Sequence, residues 1–319
     1  MKRFFTSAML CSCLLALWSC KDDDDLPKIS ERDRQEVYNE DINEIETFLK
    51  TNRIEVEDDA VKFETVEEGA TSIWNQTDFP LQSVILKNDT YSYSNTNAKY
   101  EKTADDVEYK VYYLILNEGG GEKPQVYDNV FTSYTGFNLD HSTFDSYPFG
   151  FWSAYPALEA ASEVIPGYRQ ILQQIKTASG IIDNEDGTYT YDNPGRVVVF
   201  IPSGLGYFSS TQASIPAYSP IIFDIKLITS KEVDHDNDGI LDKYEDVNGN
   251  GNLWDDDTDN DGKPDFLDLD DDGDGYTTKE EITYTVQENG ETVKELYPFE
   301  EIPNCENGSV KKHLDKNCH

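Results

Sequence analysis

The first apolar run, Ala8 to Trp18, follows Lys2 and Arg3 and is shorter than the roughly 20 residues a membrane-spanning helix needs. Further on, Ile42, Ile45 and Leu49 recur at helical spacing with Phe48 beside them, which predicts an amphipathic helix over 30–52. Ser30 is placed to cap it, with Asp33 three residues on. Its apolar face suits packing on a core or the pairing of two copies as a dimer, and nothing on it carries chemistry. From Ile54 to Asp106 the pattern changes to short Thr/Asn/Tyr-rich runs with turn signals such as Lys87-Asn88-Asp89, a β-rich stretch with no function of its own to read. Strands are predicted over 108–116, 126–134, 196–201 and 221–228, with Gly119-Gly120-Gly121 as a loop. Tyr168, Ile171, Leu172 and Ile175 make the stripe of a helix over 165–176, with Pro166 in its first turn and Gly180 placed to stop it. One helix among several strands is an α+β arrangement.

Composition narrows the function. The chain of 319 residues carries 63 acidic and 26 basic side chains, a formal charge of −37. Such a surface repels phosphate and excludes nucleic acid as a partner, while it suits cations. Twenty tyrosines exclude a disordered acidic chain, and the length suggests two domains or more.

The basic start and short apolar run read as a secretory signal over 1–19. Leu17-Trp18-Ser19-Cys20 resembles the lipobox of bacterial lipoproteins, although Trp18 is bulky for one. The resemblance implies lipidation of Cys20 and attachment to a membrane through that lipid. Lys21 and the Asp22–Asp25 run open an acidic tether over 20–29. This run is similar to the surface-export signal of Bacteroidota lipoproteins, which implies an outer-membrane protein, surface-exposed or periplasmic. Cys11 and Cys13 would leave with the signal. Cys305 and Cys318 remain, an even pair in an oxidising compartment, and their spacing allows a disulfide.

The middle of the chain carries an ordered set of motifs: Tyr134-Thr135-Gly136, Phe144-Asp145-Ser146, Pro148-Phe149-Gly150-Phe151, Glu163-Val164-Ile165-Pro166-Gly167-Tyr168, Ile201-Pro202-Ser203-Gly204-Leu205-Gly206-Tyr207, then Ile215-Pro216 and Phe223-Asp224. In this order they resemble the FKBP-type peptidyl-prolyl cis-trans isomerases, over 109–229. The resemblance implies an antiparallel sheet wrapped around one helix. It also implies a pocket walled by Tyr134, Phe144, Phe149, Val164, Ile165, Tyr168, Ile215 and Phe223, with Tyr207 offering its hydroxyl to a substrate carbonyl, the Ile165 N–H holding another, and Asp145 orienting polar groups at the rim. Phe151 and Trp152 are close rivals of Phe149 for its place. Tyr168 stands where the family often has Trp. Phe208 stands where it commonly has Gly and would add bulk beside the pocket. Insertions are expected at 152–162 and at 181–194, the second an added hairpin around Asn184-Glu185-Asp186-Gly187.

The implied chemistry needs no nucleophile, metal or cofactor. The prolyl amide turns slowly because resonance raises a barrier of about 18–20 kcal/mol. Twisting removes the resonance and makes the amide less polar, so an apolar aromatic pocket favours the twisted state. The substrates implied are proline-containing exported polypeptides. A catalytically weak peptide- or partner-binding module on the same fold is the alternative.

Between Glu232 and Glu281 lie twenty acidic residues and three lysines, and the acids are periodic. Asp234, Asp236, Asp238, Gly239, Asp242 and Glu245 fill positions 1, 3, 5, 6, 9 and 12 of a calcium loop. Asp270, Asp272, Asp274, Gly275, Thr278 and Glu281 repeat it. Asp257, Asp259, Asp261, Gly262, Asp265 and Asp268 form a third loop ending in Asp, and Asp246, Asn248, Asn250, Gly251 and Asp257 a weaker one. Alternate carboxylates in a tight turn converge on a hard cation, and glycine permits the bend. The starts at 234, 246, 257 and 270 leave no room for the helices of paired EF-hands. The tandem over 230–282 resembles thrombospondin type 3 repeats, which implies structural calcium in place of a hydrophobic core and a stiff spacer or stalk. The accessory region is placed at 30–108. A hairpin around Glu288-Asn289-Gly290-Glu291 and the disulfide loop are placed over 283–319.

Overall fold

The computed structural model describes residues 31–57, 60–67, 69–155, 164–305 and 308–318. The signal, Cys20, the tether and Ser30 lie outside the described residues. Helix α1 (Arg34–Thr51) is capped by Asp33, whose carboxylate accepts from the Glu36 N–H at 2.8 Å. The expected helix therefore begins four residues later, because Asp33 supplies the capping oxygen.

Strands β1 (Asn52–Val56) and β2 (Val61–Thr65) form a hairpin, followed by β3 (Gln82–Leu86) and a second hairpin, β4 (Tyr91–Ser94) with β5 (Lys99–Lys102). Next come β6 (Tyr109–Asn117), β7 (Asn129–Asn138) and β8 (Thr143–Ser153), then helix α2 (Pro166–Ile171). Hairpin β9 (Gly180–Asp183) and β10 (Tyr189–Asp192) precedes β11 (Gly195–Ile201) and β12 (Ile221–Lys231). A short α3 (Thr278–Glu281) and hairpin β13 (Thr283–Glu288) and β14 (Glu291–Leu296) follow.

The main sheet is six-stranded and wholly antiparallel, in the order β3-β6-β11-β12-β7-β8. Alternation along its strands divides the core in two. Tyr109, Val111, Val197, Val199, Ile201, Phe223 and Ile225 pack with Tyr168, Ile171, Leu172 and Ile175 around α2. Tyr112, Leu114, Val198, Phe200 and Ile222 face the other way, onto Ile45, Phe48 and Leu49 of α1 and onto Val61, Phe63 and Ile73. Covering of both faces is why β11 reads as an unbroken apolar run.

Two expectations change here. The stretch expected as an accessory region supplies an edge strand, β3, and the cover of one sheet face, so the sheet unit starts upstream of Tyr109. The apolar face of α1 is buried within its own chain. The second change concerns the end of α2, which passes into a 3-10 turn over Leu172–Gln174 and stops well before Gly180. From Ile175 the backbone is extended because it pairs with the glycine loop, Lys176 N–H donating to the Glu118 carbonyl at 2.7 Å. A Cβ on Gly119 would stand 2.2 Å from the Lys176 oxygen, which is why small residues occupy that loop.

The acidic tail docks on the sheet unit and does not project as a free stalk. Trp254 stacks on Tyr91 at 4.3 Å and meets Tyr100 and Tyr155 edge-on or tilted. The Tyr100 N–H donates to the Gly262 carbonyl at 3.1 Å. The tail ends in the expected hairpin, with Asn289 and Gly290 both at positive φ as its turn requires, and Cys305 is bonded to Cys318.

Candidate functional site

One pocket of ≈ 400 Å³ opens between β7, β8, α2 and the loop after β11. Tyr134 reaches it from β7, and Phe144, Asp145, Tyr147 and Phe151 from β8. Val164, Ile165 and Tyr168 line it at the start of α2, Phe223 from β12, and Tyr207 from the loop. The rings interlock edge to face: Tyr168 and Phe223 at 5.2 Å, Phe144 and Phe223 at 5.4 Å, Tyr134 and Phe223 at 5.4 Å. Gly136 makes room for this wall, since a Cβ there would stand 2.3 Å from the Phe144 ring.

Polar groups sit at defined points. The Tyr134 hydroxyl donates to Asp145 Oδ2 at 2.5 Å, and the Ser146 N–H donates to Asp145 Oδ1 at 2.8 Å, so the carboxylate is held. The Tyr168 hydroxyl at the floor donates to Thr132 Oγ1 at 2.9 Å. Burial raises the pKa of Tyr134, Tyr168 and Tyr207 above the ordinary phenol value, making each hydroxyl a weaker acid. All three remain neutral hydroxyls across the biological pH range.

Eight of the ten residues expected in the pocket line it. Phe149 does not: it is 90% exposed. Thr132 pairs with Phe151 and Tyr134 with Tyr147, so the register slips between them and Pro148-Phe149-Gly150 bulges outward. Gly150 takes a positive φ in that bulge, and Phe151 occupies the inner place. Ile215 is buried in the core cluster and is not among the lining residues. Tyr147 was not anticipated, because nothing in the sequence marks the slip that turns it inward.

Phe208 is absent from the lining as well. It takes a positive φ of 44° and turns away from the pocket, packing edge-on against Tyr218 under the Arg34 guanidinium, 4.0 Å from its ring. The bulk expected beside the pocket is thus spent on α1 and its approach. A second tie joins α1 to this loop. Asp41 accepts from both the N–H and the hydroxyl of Ser203 at 2.7 Å, and burial pushes its carboxyl up to about 6.

The acidic loops share one geometry. At position 1, one oxygen accepts from the position-6 glycine N–H: Asp234 from Gly239, Asp246 from Gly251, Asp257 from Gly262 and Asp270 from Gly275, at 2.8–3.1 Å. The remaining oxygens of Asp234, Asp257 and Asp270 are buried without a hydrogen-bond partner. The same holds for one oxygen each of Asp236, Asp238, Asp272 and Glu281 and for both of Glu245. Ligand atoms of Asp234, Asp236 and Asp238 lie within 4.8 Å of one another, as do those of Asp257, Asp259 and Asp261 and of Asp270, Asp272 and Asp274. Burial, then neighbouring carboxylates, pushes Asp236 and Glu281 up to about 8; burial likewise takes Asp238 to about 7. Buried carboxylate oxygens without donors fit a hard cation and little else.

Several expected ligands have another task. Asp242 and Asp265, at position 9, accept from the position-2 backbone N–H of His235 and Thr258 at 3.0 and 2.8 Å and so hold the loop closed. Asp268 pairs with Lys263 at 3.2 Å. Asn248 and Asn250 donate their amides to Asp255 and Asp256, and Asp246 accepts from the Asn250 N–H.

Among known proteins, residues 235–312 match a family model described as BamM C-terminal, which covers the acidic loops and final hairpin. Over 201 residues the chain is 25% identical to the FKBP-type peptidyl-prolyl cis-trans isomerase FkpA of Aeromonas hydrophila, covering 57% of this chain and 68% of that protein. It is 26% identical over 158 residues to FkpA of Escherichia coli strain K12, covering 43% of this chain and 52% of that one. With the outer membrane protein MIP of Legionella longbeachae it shares 32% over 121 residues, 38% of this chain and 44% of that one. The chain thus spans about half the length of the last two relatives. Among solved structures, a peptidyl-prolyl cis-trans isomerase from Pseudomonas syringae aligns with a TM-score of 0.30 and 23% identity, over 38% of this chain and 76% of that one. FkpA from Escherichia coli aligns at 0.29 and 24%, over 44% and 51%. By sequence homology, part of this chain is related to the FKBP-type peptidyl-prolyl isomerases.

Proposed function

We propose that this protein is a peptidyl-prolyl cis-trans isomerase acting on proline-containing exported polypeptides. The observation that carries the reading is the aromatic pocket with Tyr207 among its lining, on a chain partly similar to FKBP-type isomerases. Tyr134, Phe144, Phe151, Tyr168 and Phe223 would surround the prolyl ring and favour the twisted, less polar amide. Tyr207 would donate to a substrate carbonyl and the Ile165 N–H would hold a second. Asp145, fixed by Tyr134 and Ser146, would orient the rim. Expected on the full chain is catalysed isomerisation of a proline peptide that falls in Tyr207→Phe and more in Phe223→Ala. Background rates from the folded protein would sink the reading.

The alternative is a peptide-holding module with little turnover. Phe208 gives it no support, because that ring packs on Tyr218 under Arg34. The exposed Phe149 and Trp152 along β8 do favour a holding surface beside the pocket. Peptide binding without rate enhancement would select it.

The acidic loops are read as structural calcium sites, after the resemblance to thrombospondin type 3 repeats. Asp234, Asp236, Asp238, Glu245, Asp257, Asp259, Asp261, Asp270, Asp272, Asp274 and Glu281 would supply oxygens. The ion would replace the missing donors and relieve repulsion among the carboxylates, so binding and folding of the tail are coupled. Attachment to the outer membrane through lipid on Cys20 belongs to the same reading, and loss of membrane association in Cys20→Ser tests it.

A further inference from the structure

Asp271 occupies position 2 of the fourth loop, a position whose side chain has no place in the loop's own ligand set. In the other full loops that position carries His235 and Thr258, whose side chains bond to the position-9 carboxylate of their own loop. Asp271 does not do this, because position 9 of its loop is Thr278, which accepts instead from the Asp271 backbone N–H at 3.2 Å. The Asp271 carboxylate turns across to the first loop. Ligand atoms of Asp238, Glu245 and Asp271 lie within 4.8 Å of one another. The three residues are 0%, 3% and 2% exposed. Asp238 Oδ2, both Glu245 oxygens and both Asp271 oxygens have no hydrogen-bond partner.

Five buried acceptor oxygens without a donor cannot be a satisfied polar core. Three carboxylates packed together in low dielectric also repel one another strongly. A divalent cation resolves both conditions. We propose that Asp271 is a ligand of the first loop's cation, together with Asp238 and Glu245, so that one calcium ion clamps the first and fourth loops together. The proposal rests on reading the loops as calcium sites. It goes further in assigning a ligand from outside the loop and a closure of the array from end to end. Asp234 and Asp236 complete the shell from the first loop, and Asp238 belongs to both groups of converging oxygens.

The test is calcium titration of the full chain, stripped of metal, by calorimetry. Asp271→Asn is expected to lose one site, or to weaken it by roughly ten- to hundredfold, with the other sites unchanged. Combined with Asp238→Asn it should lose no further site, because both residues serve the same ion. Combined with Asp259→Asn it should lose a second. Melting adds a sign test: in chelator Asp271→Asn should melt higher than the wild type, because one of three clustered, partnerless buried carboxyls is gone, and in saturating calcium it should melt lower. A residue with a purely structural role lowers both. If Asp271→Asn does not fold, Glu245→Gln gives the same non-additivity with Asp238→Asn. Wild-type protein that takes up no calcium overturns the reading of the loops and this assignment with it. Wild-type protein that binds, with Asp271→Asn unaltered in site number and affinity, overturns the assignment alone.

Discussion

Excision of residues 109–229, the span that carries the isomerase motifs, should destroy the fold it was meant to isolate. That cut removes α1, β1, β2 and β3. It strips the cover from Tyr112, Leu114, Phe137, Val198, Phe200 and Ile222, six side chains buried on the second face of the sheet. Returning a large apolar side chain to water costs about 1.5–3 kcal/mol. Six of them sum to about 9–18 kcal/mol, an upper figure because the unfolded chain already shields part of that surface. A whole domain holds about 5–15 kcal/mol of net stability, so the fragment has none left. The cut also removes Asp41, and with it the two hydrogen bonds that fix the Ser203 turn ahead of Tyr207. Thermal unfolding followed by near-ultraviolet circular dichroism decides it. Residues 32–229 are expected to melt cooperatively, and 109–229 to show no cooperative transition. A fragment 109–229 that melts within a few degrees of 32–229 would refute the reasoning that α1 and β3 belong to the sheet unit.

Other outcomes follow from the same geometry. Gly136→Ala drives a methyl into the Phe144 ring; peptide isomerisation should drop about ten- to hundredfold, since 1.4 kcal/mol is a factor of ten and overpacking costs about 1–3 kcal/mol, with the melting temperature lowered by only a few degrees. Without metal, the raised Asp236, Asp238 and Glu281 keep protons in the folded state that the unfolded chain has lost between about pH 4 and 8. Stability in chelator therefore falls as pH rises through that window, and calcium binding at pH 7 releases protons. Calorimetry in buffers of different ionisation enthalpy measures the release, and none would count against buried ligands. Trp254→Ala removes the ring that joins the second loop to Tyr91, Tyr100 and Tyr155. Limited proteolysis should then separate the tail from the sheet unit even in calcium.

What the sequence made legible follows the physics of each element. Strands β6, β11 and β12 are apolar runs whose side chains have no alternative to burial, and the hairpin of β13 and β14 is announced by Asn289-Gly290. Strand β8 is an edge strand with mostly exposed residues, so it lacks the alternation that would reveal it. The outward bulge at Phe149 is a register effect and leaves no mark in composition. Phe208 was misread because its destination, the face under Arg34, lies 174 residues away in the chain. The acidic loops were legible in spacing, since each is local. The meeting of Asp271 with Asp238 and Glu245 was not, because it depends on the fourth loop folding against the first, which no local pattern encodes. Asp242 and Asp265 matched the spacing too, yet one oxygen of each is taken by the position-2 backbone N–H and the other by that residue's side chain.

The central claim is that the ring of Tyr134, Phe144, Phe151, Tyr168, Tyr207 and Phe223 turns prolyl bonds. The most direct measurement is the rate of cis-trans isomerisation of a short proline peptide, with full-length protein in calcium. Acceleration proportional to protein concentration, reduced by Tyr207→Phe and nearly abolished by Phe223→Ala in protein still folded at the assay temperature, is the predicted result. A folded wild-type protein that leaves the peptide at its uncatalysed rate would contradict the account.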